Sequence, residues 1–178
     1  RGSIPVCHRD FLEFGGNTTS LRITRDNGRI AILDAGTGIR QLGRDLVENG
    51  FHQNEVFIGF THFHWDHIQG FPFFSPAYDH GMVINILAMG KDRGINDLEE
   101  IFKGQMQPEY FPVPLKSMGA KFNFLQLDQN EITINGATLR VIKQNHPGGS
   151  FGYRMEDNGK VFVFCTDLEH GDAALPEI

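Results

Sequence analysis

The chain has 178 residues, 40% of them hydrophobic, which suits one domain with a sizeable core and gives no reason to expect a second. Its 16 basic and 22 acidic side chains give a formal charge of -6, which argues against a broad electrostatic surface for duplex nucleic acid but leaves room for a small anion held at bound cations. Two distant cysteines, Cys7 and Cys165, exclude a disulfide framework, and no apolar run has the length of a membrane span or the form of a signal peptide, so a cytoplasmic protein is the default expectation.

Residues 20–24 and 29–33 are short strand candidates, and the turn signal Asp26-Asn27-Gly28 between them predicts a hairpin. Residues 37–49 place Ile39, Leu42, Leu46 and Val47 at helical spacing, with Thr37 as the expected N-cap and Gly50 as a natural stop. A buried strand over 56–60 then leads into Thr61-His62-Phe63-His64-Trp65-Asp66-His67. Beyond it come a strand over 83–89, a short helix over 95–103 with Asn96 or Asp97 near its start, and an irregular stretch over 104–119. Strands follow over 122–127, 131–135 and 137–143, the last two turning at Asn135-Gly136. A further hairpin pairs 150–156 with 160–165 around Asp157-Asn158-Gly159, and Cys165 reads as a small core residue. The order favours a layered α/β or α+β domain with largely antiparallel pairing.

Three histidines and one aspartate fall within the six residues from His62 to His67. Imidazole nitrogen and carboxylate oxygen suit zinc, iron and manganese. On an extended segment His62, His64 and Asp66 point to one side; a helix starting near Trp65 brings Asp66 and His67 in from another direction. Four such side chains from one junction exceed what a single tetrahedral metal takes from one segment, so two metals are indicated. Phe63 and Trp65 are assigned to packing. His146, in Asn145-His146-Pro147-Gly148-Gly149, and Asp167, in Thr166-Asp167, each follow a predicted strand. His146 can complete a three-histidine site with His62 and His64, and Asp167 can bridge that metal to one held by Asp66 and His67. Asp34, in Leu33-Asp34-Ala35-Gly36-Thr37-Gly38, either caps its turn or accepts the second ring proton of a ligand histidine, and the latter role is favoured. The glycines beside it lack the Lys-Ser or Lys-Thr pair of a phosphate loop.

With Asp34, His62-x-His64-x-Asp66-His67, His146 and Asp167 in this order, the chain resembles the metallo-β-lactamase-fold superfamily of metal-dependent hydrolases from about residue 13 to its end. The resemblance implies an α/β (α+β) fold, a four-layer αββα sandwich with a dinuclear site at one edge of the two sheets. It implies two divalent metal ions, zinc first and manganese or iron as alternatives: one on His62, His64 and His146, the other on Asp66 and His67, with Asp167 bridging. Arg1-Gly2-Ser3-Ile4-Pro5, Gly15-Gly16-Asn17-Thr18 and the segment around His146 resemble the phosphodiesterase side of the superfamily, near tRNase Z and cyclic-phosphodiester hydrolases. The family supplies a last histidine to the second metal well after the bridging aspartate, and this chain stops at Ile178. Residues 1–178 therefore read as one metallo-β-lactamase-like domain, incomplete at both ends.

The activity implied is hydrolysis of a phosphodiester, in a cyclic nucleotide or cyclic phosphate, by a hydroxide shared between the metals. Asp66 orients or deprotonates the water, Asp167 fixes the metal spacing and His170 protonates the leaving group. Phe71, Phe73, Phe74 and Tyr78 are candidate pocket walls, Tyr110 and Phe111 a candidate lid, and Gly148, Gly149 and Ser150 candidate donors to phosphate. Expected partners are a small anionic substrate and, compatible with the sequence, a second copy in a homodimer. The alternatives are a thioester hydrolase like glyoxalase II, a mononuclear iron oxygenase and a non-catalytic metal sensor.

Overall fold

In the computed structural model, which describes residues 2–51 and 53–169, Gly28 takes a φ of 78° and turns β1 (Leu21–Thr24) into β2 (Ile30–Leu33). The two strands are antiparallel, with Leu21 opposite Leu33 and Thr24 opposite Ile30. From β2 onward the connections carry helices. Helix α1 (Gly38–Glu48) leads to β3 (Glu55–Gly59), and α2 (Trp65–Ile68) with two 3-10 turns leads to β4 (Val83–Met89). Helix α3 (Leu98–Gln105) precedes β5 (Lys121–Leu127). The first sheet has the order β1-β2-β3-β4-β5, and β2 to β5 pair in parallel. The expectation of largely antiparallel pairing is thus wrong for this sheet. A helical crossover returns the chain to the end of the sheet where the previous strand began, and the next strand must then run parallel.

The second sheet holds β6 (Glu131–Ile134), β7 (Ala137–Gln144), β8 (Ser150–Asp157) and β9 (Lys160–Phe164), antiparallel throughout. Its tight turns fall at Asn135-Gly136 (φ 51° and 85°) and Asn158-Gly159 (φ 50° and 74°). Both residues of each pair are left-handed, as a two-residue hairpin loop matched to strand twist requires.

The first sheet is buried on both faces, which accounts for its near-continuous apolar strands such as Val83–Met89. On one face Ile32, Ile58, Ile84 and Ile86 pack with Ile39, Leu46, Leu98 and Phe102 from the helices. On the other, Leu33, Leu87 and Met89 meet Val141, Phe151 and Tyr153 of the second sheet. Helix, sheet and sheet thus form three of the four expected layers among the described residues; the outer face of β9 exposes Val161 and Val163. Cys165 continues that alternation and is exposed, which corrects its assignment to the core: Phe162 and Phe164 point inward instead.

Two helix details also differ. Thr37 makes no side-chain cap; its hydroxyl accepts the Thr18 N–H at 2.9 Å, and Thr18 Oγ accepts the Thr37 N–H at 2.8 Å, tying residues 17–18 to the start of α1. Val47 is 60% exposed, because the buried stripe of α1 runs through Ile39, Gly43 and Leu46. Helix α3 is capped by Asp97, whose Oδ1 accepts the Glu99 and Glu100 N–H groups. No helix among the described residues is long and apolar enough to cross a membrane.

Candidate metal centre

Four strand ends meet at one edge of the sandwich. Asp34 follows β2, His62 and His64 follow β3, His146 follows β7 and Asp167 follows β9. Asp66 and His67 come from α2, for which His64 is the extended residue just before the first turn. One group brings ligand atoms of His62, His64, His146 and Asp167 within 4.8 Å of one another; a second does the same for Asp66, His67 and Asp167. Asp167 belongs to both.

Edge lengths within the first group fit a small cation. His64 Nδ1 lies 3.0 Å from both His62 Nε2 and His146 Nε2. Asp167 Oδ2 lies 3.5 Å from His62 Nε2 and 3.7 Å from His146 Nε2. A tetrahedral zinc with bonds of about 2.0–2.1 Å needs ligand–ligand edges of about 3.3 Å. In the second group, His67 Nε2 lies 3.3 Å from Asp66 Oδ2 and 3.4 Å from Asp167 Oδ2.

Hydrogen bonds behind the cluster fix which ring atom faces it. His67 Nδ1 meets Asp34 Oδ2 at 2.8 Å, so its N–H lies on Nδ1 and its Nε2 lone pair faces the carboxylates. Thr61 Oγ1 donates to Asp34 Oδ2 at 2.8 Å and lies 3.1 Å from His62 Nδ1. Its only proton goes to Asp34, so it accepts from His62 Nδ1–H, and the His62 Nε2 lone pair also faces the cluster. Among the described residues His67 Nε2 is buried with no hydrogen-bond partner. A buried lone pair set against two carboxylates is repulsive until a proton or a metal cation lies between them, and the imidazole and carboxylate donors gathered here fit divalent metals.

The charge state of His62 agrees with this. Burial and then the neighbouring imidazoles push His62 down to about 3, so it is neutral near pH 7, as a metal ligand must be. Burial lowers His67 as well, but the Asp34 hydrogen bond and the carboxylates around it bring the net shift upward, towards an imidazolium whose Nε2 proton a metal would displace. Burial raises Asp34 against its bonds from His67 and Thr61; since its oxygens accept three donors, the shared proton belongs on His67 and Asp34 is the anion. For Asp167 burial is outweighed by the Thr166 hydroxyl and the surrounding histidines, which hold it below the usual carboxylate range. Asp34 and Asp167 have φ values of 60° and 47°, a left-handed backbone that aspartate adopts more readily than most residues other than glycine.

The sequence profile of the Beta-lactamase superfamily domain matches residues 29–178. The chain belongs to this family. No curated protein matches it. The metallo-beta-lactamase fold protein YhfI from Bacillus subtilis aligns with a TM-score of 0.58 at 19% identity, over 89% of this chain and 58% of that one. The short form of human tRNase Z gives 0.56 at 15% identity, over 85% and 64%, and yeast PDE1 gives 0.53 at 17%, over 90% and 63%. These likenesses establish the metallo-β-lactamase fold, of which the chain spans about three-fifths of the solved structures' length.

Several expected site residues of this family member lie elsewhere. Phe71 is 0% exposed and packs edge-on to Phe102 at 4.7 Å, so it is core and not a pocket wall. Phe74 is buried likewise; Phe73 stays exposed with its edge on Phe111, and the Tyr78 hydroxyl donates to the Pro72 carbonyl. Ser150 is buried and its hydroxyl serves Gln144 and the Thr166 carbonyl, which removes it as a phosphate donor. The Gly149 N–H donates to the His146 carbonyl and is also occupied. Gly148 does border the cluster: a Cβ there would stand 3.6 Å from His64 Nε2. Trp65, expected to pack, is 60% exposed. His170 lies outside the described residues.

Sequence reasoning missed Thr61, whose hydroxyl and N–H join Asp34 to His62. It also left the glycines near Asp34 without a role. Gly36 and Gly70 let the loop after β2 touch α2: a Cβ on Gly36 would meet the Asp66 carbonyl at 2.4 Å, and one on Gly70 would meet the Gly36 carbonyl at 2.1 Å. Backbone bonds from Ala35 N to the His67 carbonyl (2.7 Å) and from Gly70 N to the Ala35 carbonyl (2.8 Å) use that closeness.

Proposed function

We propose that the chain carries the metal centre of a phosphodiester hydrolase acting on a small anionic substrate such as a cyclic nucleotide or cyclic phosphate. The observation that carries this reading is the sharing of Asp167 between a three-histidine group and an Asp-His group. His62, His64 and His146 would hold one divalent cation, Asp66 and His67 a second, with Asp167 common to both. When bound, such cations neutralise non-bridging phosphate oxygens and make water a nucleophile near neutral pH.

The chain's own residues supply orientation and proton handling. Asp34 and Thr61 keep the lone pairs of His67 and His62 turned to the cluster. Asp66, largely buried and with Oδ2 facing His67, is placed to accept a proton from the attacking water. His64, Gly148 and the partly exposed Asp167 form the open side, where an anion would enter. The names of two similar folds, human tRNase Z and yeast PDE1, support a phosphodiester as the bond cleaved.

The test is turnover of bis(p-nitrophenyl) phosphate against a glutathione thioester, with zinc or manganese added, by the chain and by His64→Ala. Diester cleavage that disappears in the variant is expected. Thioester cleavage without diester cleavage would replace the reading with a glyoxalase II-like activity, and one iron per chain with oxygen uptake would replace it with an oxygenase.

A further inference from the structure

Arg93, in the loop after β4, belongs to no motif and has no part in the chemistry above. The parallel pairing of β3 with β4 ends at Gly59 opposite Leu87, and Phe60 N donates to the Leu87 carbonyl at 3.0 Å. Past that point the chain leaves the sheet to form the histidine cluster, and the Phe60 and Thr61 carbonyls no longer face a strand of the first sheet. Arg93 supplies the donors: Nη2 donates to both carbonyls, at 2.8 Å for Thr61, and Nη1 donates to the Met89 carbonyl at 2.6 Å. One planar fork thus spans the separating ends of two strands.

The second sheet closes on the same point. The Tyr153 hydroxyl donates to the Phe60 carbonyl at 2.8 Å, the Phe151 N–H to the Thr61 carbonyl at 3.0 Å, and the Phe151 ring lies 4.6 Å from the guanidinium carbon. Phe63 covers it at 5.4 Å. Among the described residues, the partners of this partly buried cation are therefore neutral carbonyls and ring faces, and its Nε is buried without a partner. Desolvating a charge for neutral acceptors adds little stability that an apolar side chain could not match. What the fork adds to the Tyr153 and Phe151 bonds is a link that ties both peptides to the end of β4 at Met89.

We propose that Arg93 is a positioning residue for the metal centre, holding the Thr61 peptide so that its N–H and hydroxyl reach Asp34 and its hydroxyl reaches His62. The proposal rests on the metal-site reading of the cluster. Thr61 links both ligand groups, through Asp34 to His67 and directly to His62, so loss of the fork loosens both.

The experiment measures zinc affinity of the whole chain by competition with a chromophoric chelator, together with urea unfolding of the metal-free protein. It compares Arg93→Ala, Arg93→Lys and Arg25→Ala. Arg25 is the control: it binds Asp157 at 2.7 and 3.0 Å at the opposite end of the sandwich. Arg93→Ala is expected to weaken zinc binding by about 10–100-fold, the range for groups that orient metal ligands. Arg93→Lys recovers only part of this, since one ammonium nitrogen cannot take the places of both Nη2, on the Phe60 and Thr61 carbonyls, and Nη1, on the Met89 carbonyl. Arg25→Ala lowers stability with zinc affinity held within about twofold. Zinc affinity unchanged in Arg93→Ala, or reduced as much in Arg25→Ala, overturns the proposal. If Arg93→Ala does not fold, Arg93→Lys decides, and affinity equal to that of the unsubstituted chain overturns it. Failure of the unsubstituted chain to bind zinc overturns the metal-site reading and this proposal with it.

Discussion

Replacing Asp34 by Asn isolates the hydrogen bonds that hold the site. Asn keeps the size of the side chain and tolerates the left-handed φ of 60°, so backbone strain does not change. Asp34 is 0% exposed and accepts three donors at 2.8 Å: Thr61 N on Oδ1, and Thr61 Oγ1 and His67 Nδ1 on Oδ2. An amide offers one oxygen. With that oxygen placed at Oδ2, two bonds survive without their charge and the Thr61 N–H faces an NH2 group. One unsatisfied buried donor costs about 1–3 kcal/mol, and each bond that loses its charged acceptor weakens by roughly 1 kcal/mol, so the loss is about 3–5 kcal/mol. His67 also loses the carboxylate that orients it, which should weaken metal binding by about 10–100-fold. Urea unfolding of the chelator-treated protein reads the first effect and zinc competition the second. A variant within about 0.5 kcal/mol of the parent, with unchanged zinc affinity, would refute the reasoning.

Phe71→Ala should destabilise the protein by about 3–5 kcal/mol, the usual loss for a buried aromatic, without altering KM for a diester substrate; a raised KM in a protein of normal stability would return Phe71 to the pocket. Gly36→Ala puts a Cβ 2.4 Å from the Asp66 and Thr19 carbonyl oxygens, so it should lower Tm and metal content together, and a variant that keeps both would show that the loop and α2 are not in contact. His62 is held down to about 3 against an ordinary 6.5, so it stays neutral in the fold while the unfolded chain takes up a proton below 6.5. Its contribution to metal-free stability is present above pH 6.5 and is lost as pH falls towards 3; in His62→Gln this part of the slope, read from urea unfolding across that window, should vanish.

Much of the site was legible because its ligand-type side chains are local or stand at strand ends. His62, His64, Asp66 and His67 lie within one short segment, and Asp34, His146 and Asp167 each follow a strand whose pattern is clear. The Asn-Gly turns were legible for a similar reason, since two adjacent left-handed residues demand them. Pairing direction was not, because it depends on where a helical crossover returns the chain. Phe71-Pro72-Phe73-Phe74 has no periodicity to separate inward from outward rings, and the fold buries Phe71 and Phe74 while leaving Phe73 exposed. Ser150 reads as a loop donor, yet the β7–β8 pairing with Gln144 turns its hydroxyl inward. Thr61 and Arg93 carry no mark in the sequence, as their roles arise only where β3, β4 and β8 converge.

Anomalous diffraction at the zinc edge from crystals of the chain grown with zinc tests the central claim most directly. The account predicts peaks about 2.0–2.2 Å from His62 Nε2, His64 Nδ1 and His146 Nε2, and from Asp66 Oδ2 and His67 Nε2, with Asp167 between them. Zinc bound only at other residues, or no anomalous peak at this edge of the sandwich, would contradict it.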